Sequence, residues 1–123
     1  MKNIKILVFL LLFLLLFPAC SANNPPQVPE EPEIVAHGTF PLPFELTFIA
    51  FTTDPNGDDI SYQFDWGDGS RSEWSDFIPS GDTITESHSY TEEGWFEIKV
   101  RAKDITGLLS AWSKSKNVGI SPN

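Results

Sequence analysis

The chain has 123 residues, enough for one domain. Its 17 acidic and 8 basic residues give a formal net charge of −9, which argues against nucleic acid and anionic lipid head groups as partners. A single cysteine excludes an internal disulfide, so stability must come from the core, or from the core and a metal.

Residues 1–22 do not read as part of a fold. Lys2 and Lys5 precede an unbroken apolar run of twelve residues, Ile6 to Phe17, and Pro18-Ala19-Cys20-Ser21-Ala22 follows with small residues. That order is a secretory signal peptide. The run is shorter than the roughly 20 residues a helix needs to cross a bilayer. Two processing routes stay open. Phe17-Pro18-Ala19-Cys20 resembles the box before a lipid-modified cysteine, which would make Cys20 the lipid attachment site; ordinary cleavage after Ala22 is the competitor. Loss of Lys2 and Lys5 leaves 6 basic and 17 acidic residues, a formal net of −11. Asn23 to Pro32 carries four prolines, which bar helix and interior strand, so residues 23–32 are expected to form an extended tether.

Residues 33–121 carry the strand signals. Glu33 to Ala36 is a short edge candidate. Glu45 to Thr53 is longer, but both of its faces are fairly apolar, so its core face is undecided. Asp54-Pro55-Asn56-Gly57-Asp58-Asp59 is a turn. In Ile60 to Trp66, the residues Ile60, Tyr62, Phe64 and Trp66 alternate with polar ones and should face the core. Gly67-Asp68-Gly69 ends that strand in a tight acidic turn, where the Asp68 carboxylate can accept backbone N–H bonds. Ser72 to Ile78 is an edge strand or an irregular crossover. Asp82 to Ser89 is a thin strand. Trp95 to Lys103 alternates cleanly, with Phe96, Ile98, Val100 and Ala102 inward, and Ala111 to Ile120 is last. About seven short strands over roughly 90 residues, with no helical period, predict an all-β two-sheet sandwich.

Three motifs carry a resemblance. Asp65-Trp66-Gly67-Asp68-Gly69, then His88 with Tyr90, then the strand from Gly94 to Asp104 resemble the box, the H-x-Y and the late strand of polycystic-kidney-disease-type (PKD) domains. Phe96 stands where that family usually has tyrosine. The resemblance implies an immunoglobulin-like seven-stranded β-sandwich without catalytic activity. The residues themselves suggest structural work: Asp68 and Gly69 shape a turn, and Tyr90 is placed for a tyrosine corner.

No G-x-S-x-G, H-E-x-x-H, C-x-x-C or phosphate-cradling glycine loop is present, and neighbouring Ser and His side chains on a strand point apart. No enzyme activity is expected. Asp54, Asn56, Asp58 and Asp59 crowd one loop with hard oxygen donors, and Asp104 is a distal contributor, which makes calcium the candidate cofactor. Some PKD-like sandwiches bind calcium at such loops. Trp95 lies outward by parity and Trp74 sits in a Ser-x-Trp-Ser turn; both are candidate ligand contacts, with packing as the competing role. The expected function is an exported module, membrane-anchored or secreted, for adhesion, spacing or contact with an extracellular protein or polysaccharide. The alternative is a soluble calcium-dependent carbohydrate-binding accessory module.

Overall fold

Alternation of inward apolar and outward polar residues assembles two layers. The computed structural model describes residues 22–122; Cys20 and the apolar run lie outside the described residues. Among these residues there are six strands: β1 Glu33–His37, β2 Phe44–Ala50, β3 Ile60–Asp65, β4 Ile84–Tyr90, β5 Gly94–Asp104 and β6 Lys116–Ile120. They form two antiparallel three-stranded sheets, ordered β1-β2-β4 and β3-β5-β6.

The facing surfaces make one core. Leu46, Phe48 and Ala50 come from β2, Ile60, Tyr62 and Phe64 from β3, and Ile98, Val100 and Ala102 from β5, with Trp66, Tyr90 and Ile120 completing it. Full burial of such large side chains contributes about 1.5–3 kcal/mol each. The undecided face of β2 is thereby settled: Leu46, Phe48 and Ala50 point in, whereas Phe51 is 40 % exposed.

Six strands form instead of seven, and the missing one is Ser72 to Ile78. Ser72 donates its N–H to the Phe64 carbonyl (2.9 Å), while its Oγ accepts the Phe64 N–H (2.9 Å). Ser75 serves Tyr62 in the same two ways, both at 2.9 Å. The segment thus advances three residues while β3 advances two, and each serine replaces one ladder carbonyl with its hydroxyl. A regular ladder cannot form, and only isolated bridges, Ile60 with Ile78 and Asp65 with Arg71, remain. The device recurs on β5. Ser110 pairs this way with Ala102 (2.8 and 2.9 Å), and Ser113 with Val100 (2.8 and 3.0 Å). For that reason the last strand begins at Lys116 and not at Ala111.

The proline-rich leader does not stand away from the domain. Pro26, Pro29 and Pro32 are buried. The residues between them supply the hydrogen bonds that proline cannot: Gln27 N–H to Thr53 O (2.9 Å), Glu30 N–H to Phe51 O (3.2 Å), and Thr52 Oγ1 to Gln27 O (2.8 Å). The leader is extended, as its composition requires, but it is docked along the chain that leaves β2.

Candidate functional site

Two aspartate-centred turns lie at the two ends of β3. After its last residue, Gly67 takes φ +78°, and a Cβ there would come within 2.6 Å of the Glu97 carbonyl oxygen of β5, so only glycine fits. Asp68 follows. Its Oδ1 accepts the Ser70 N–H (3.0 Å) and hydroxyl (2.5 Å), and its Oδ2 lies 2.7 Å from His88 Nε2. Burial alone would raise the Asp68 pKa, but the hydrogen bonds from Ser70 and His88 outweigh it and hold the carboxyl below its ordinary value. The His88 ring stacks on Trp66 at 4.8 Å and meets Tyr90 edge-on at 4.8 Å.

Tyr90 ends β4 in one sheet, and its hydroxyl donates to the Trp66 carbonyl (2.8 Å) beside the other sheet. The phenol therefore bonds a carbonyl 24 residues upstream and ties the two layers together, in place of the short-range tyrosine corner that its sequence position suggests. Burial, reinforced by the Asp68 and Asp65 charges, pushes the phenol pKa well up. Asp65, Trp66, Gly67, Asp68, Gly69, His88 and Tyr90 thus cluster around a structural corner.

At the start of β3 a different group assembles. Asp104, the last residue of β5, pairs with Ile60 and so lies beside the 54–59 loop. One carboxylate oxygen from each of Asp54, Asp58 and Asp104 falls within 4.8 Å of the others. Asp54 Oδ1 accepts the N–H of Asn56 (2.8 Å) and of Asp58 (3.2 Å). Asp104 Oδ1 repeats the pattern with Thr106 N–H (2.9 Å) and Leu108 N–H (3.0 Å), and its Oδ2 accepts from Asn23 of the leader (3.1 Å). Asp54 is only 6 % exposed, and its Oδ2 is buried with no hydrogen-bond partner. An orphaned buried carboxylate oxygen is costly unless a hydrogen-bond donor or a cation meets it.

The electrostatics agree with that strain. Burial, then the charges of Asp54, Asp104 and Asp59, push the Asp58 carboxyl above its ordinary value. Asp104 moves the other way: burial raises it, but bonds from Thr106, Leu108 and Asn23 together hold it low. Of the five residues expected to bind a cation, the structure brings three together. Asn56 is turned to the leader, where its Oδ1 accepts the Asn24 N–H (2.8 Å). Asp59 is exposed outside the trio.

The tryptophans divide. Trp95 is 83 % exposed, as parity predicts, and rests over Gly119 of β6, whose added Cβ would lie 3.0 Å from the ring. Trp74 is half-buried, with Lys103 Nζ 4.3 Å and Arg101 Cζ 5.4 Å from its centroid. It is tied into a surface ladder that sequence reading missed. The available signal was the alternation of Lys99, Arg101 and Lys103 on the outward face of β5; their meeting with Trp74 and with Trp112 of the segment before β6 depends on the three-for-two register of the flanking segments.

Among known proteins, the PKD domain family matches residues 31–117. The chain belongs to the PKD domain family. A search of curated proteins gave no match. Among solved structures, the PKD domain of an M14-like peptidase from Thermoplasmatales archaeon SCGC AB-540-F20 is similar, with 33 % identity and a TM-score of 0.69, over 80 % of this chain and 98 % of that one. PKD domains are generally non-catalytic and are typically extracellular interaction modules. In this PKD domain the box and the H-x-Y motif build the corner around Trp66. The carboxylate trio lies at the other end of β3, beside the docked leader.

Proposed function

We propose that this PKD domain is an exported, non-catalytic surface module that acts by adhesion, spacing or ligand contact, and that it is held to a membrane through a lipid on Cys20. The docked leader carries this reading. Asn23 bonds Asp104, Asn24 bonds Asn56, and Gln27 and Glu30 bond the segment after β2, so the chain enters the domain on a fixed path. A fixed entry suits a module that must be held at a set orientation from its point of attachment. Its contacts would be an extracellular protein or polysaccharide. The test is intact mass of protein from membrane and medium fractions of a host that lipidates. A membrane species starting at Cys20 with a diacylglycerol-sized addition supports the anchor. A soluble species starting at Asn23 removes it and leaves a diffusible module.

The buried, unpartnered Asp54 Oδ2 favours a second element, a calcium ion held by Asp54, Asp58 and Asp104. The residues fit such an ion: the donors are all hard oxygens, one of them buried without a hydrogen-bond partner, and burial followed by the neighbouring charges raises the Asp58 carboxyl. The ion would supply positive charge that relieves the trio. The chain's own residues would do the rest, with Asp104 joining the leader to the trio through Asn23. The soluble carbohydrate-binding alternative needs this ion together with an exposed aromatic, and Trp95 is the candidate. Titration calorimetry with calcium should give a dissociation constant of about 10⁻⁴–10⁻³ M, as for extracellular modules. No heat at millimolar calcium would end this reading.

A further inference from the structure

The described domain is strongly acidic, yet its cations are gathered on one face. Lys99, Arg101 and Lys103 alternate along β5 on the side away from the core, opposite Asp65, Gln63 and Ser61 of β3. Two of the serine-paired edge segments each bring a tryptophan to this face. Arg101 Cζ lies 4.5 Å from the Trp112 centroid and 5.4 Å from that of Trp74. Lys103 lies over Trp74 (4.3 Å), and Lys99 (5.5 Å) and Arg71 (5.2 Å) lie over Trp112. Four of the six basic residues beyond the leader are therefore held in one tryptophan-flanked strip.

Their charge is hardly neutralised. Asp65 is engaged by Arg71 at 3.5 Å. Arg101 donates twice to the neutral Gln63 Oε1, at 3.1 and 2.8 Å. Among the described residues, Lys99, Arg101 and Lys103 have no carboxylate within ion-pair distance, although the chain holds 17 acidic residues. Stacking on an indole fixes a cation without cancelling it. The result is a preordered row of charges along a straight strand, one every two residues, or about 7 Å.

We propose that the outward face of the β3-β5-β6 sheet is a binding strip for a linear acidic polysaccharide, whose repeated carboxylates would lie along Lys99, Arg101 and Lys103. A thin chain can follow the strip and stay clear of the acidic ends of the domain. A second copy of this protein would instead bring the net of −11 carried by its residues 23–123 against those ends. The inference deepens the reading of the domain as an interaction module and rests on it, but it uses residues apart from Trp95 and the carboxylate trio.

Affinity electrophoresis of the full chain in gels containing polygalacturonate, with dextran as the neutral control, tests it. Retardation should appear with polygalacturonate alone, should be strong at about 10 mM salt and lost at about 1 M. Lys99→Gln should weaken it about threefold, and the Lys99→Gln, Arg101→Gln, Lys103→Gln triple variant roughly thirtyfold. Lys99→Arg with Lys103→Arg, which keeps the charge, should retain it. The absence of retardation at low salt would overturn the proposal and leave the ladder as a brace for the edge segments. So would binding that Lys99→Gln leaves unchanged. Binding to dextran that is lost in Trp95→Ala would also overturn it, while supporting the broader interaction-module reading. Concentration-dependent self-association that the triple variant abolishes, without polygalacturonate binding, would assign the face to contact between copies.

Discussion

Asp68 and Asp54 sit in tight turns at opposite ends of β3, and both use one oxygen to accept backbone N–H groups of their own turn. They differ in the second oxygen. That of Asp68 is engaged by His88, which is itself stacked on Trp66. That of Asp54 is buried and engaged by nothing. The first end is finished by the fold alone. The second is assembled by the fold and left with surplus negative charge from Asp58 and Asp104. Identical turn chemistry thus completes its bonding in one place and leaves a buried carboxylate oxygen without a hydrogen-bond partner in the other, and only the three-dimensional neighbours tell them apart.

The largest effect should come from testing how tightly the finished end is built. Gly67→Ala combines an unfavourable positive φ with a Cβ 2.6 Å from the Glu97 backbone, and should cost about 3–5 kcal/mol in urea unfolding. Gly69→Ala has φ +90° but open space around it, and should cost only about 1–2 kcal/mol. Equal costs would mean that the close approach to Glu97 does not constrain the turn.

Next is Tyr90→Phe, which leaves the Trp66 carbonyl without its buried donor. A loss of about 1–3 kcal/mol is expected in the same unfolding assay, independent of calcium.

The sharpest contrast is between the two aspartates. Asp68→Asn should destabilise by about 1 kcal/mol whether or not calcium is present, because the carboxylate is partly exposed. Asp54→Asn should leave calcium-free stability unchanged or raised, since it removes charge from a repelling trio, and should abolish calcium binding in calorimetry.

The smallest effect is in pH. Asp68 and Asp104 have depressed folded pKa values, so each contributes stability above the ordinary carboxylate value of 3.8 that is lost as pH falls through the folded value. Asp58 is raised, so the sign reverses: its contribution is absent at low pH and becomes destabilising as pH rises from 3.8 through the folded value. Asp58→Asn should therefore stabilise the calcium-free domain at neutral pH, with the gain vanishing below pH 3.8 in melts across the acid range.

Much of the first end was legible in the sequence. The alternation from Ile60 to Trp66 and the Gly67-Asp68-Gly69 turn are local patterns, and local patterns survive into the structure; the bond from Tyr90 to Trp66, 24 residues apart, was not legible as such. The second end was half legible. Asp54 and Asp58 share a loop, and Asp104 was a foreseeable contributor from the distal strand end, but the use of Asn56 and Asn23 by the leader was not. Leader docking carries no periodic signal, because its bonds come from single residues between prolines. The segment from Ser72 to Ile78, open between an edge strand and an irregular crossover, was undecided for a similar reason, and it is the irregular crossover that forms. Ser72 and Ser75 look like strand residues, and only the register against β3 shows their hydroxyls standing in for backbone carbonyls.

The most direct test of the contrast is a set of thermal melts of wild type, Asp54→Asn and Asp68→Asn, with and without calcium at about a hundredfold its dissociation constant. Such binding adds about 2.7 kcal/mol, so wild type and Asp68→Asn should both rise by about 10 °C or more, while Asp54→Asn stays still. If wild type does not move, or if Asp54→Asn rises with it, the unpartnered oxygen of Asp54 is not a cation ligand and the proposed difference between the two ends is wrong.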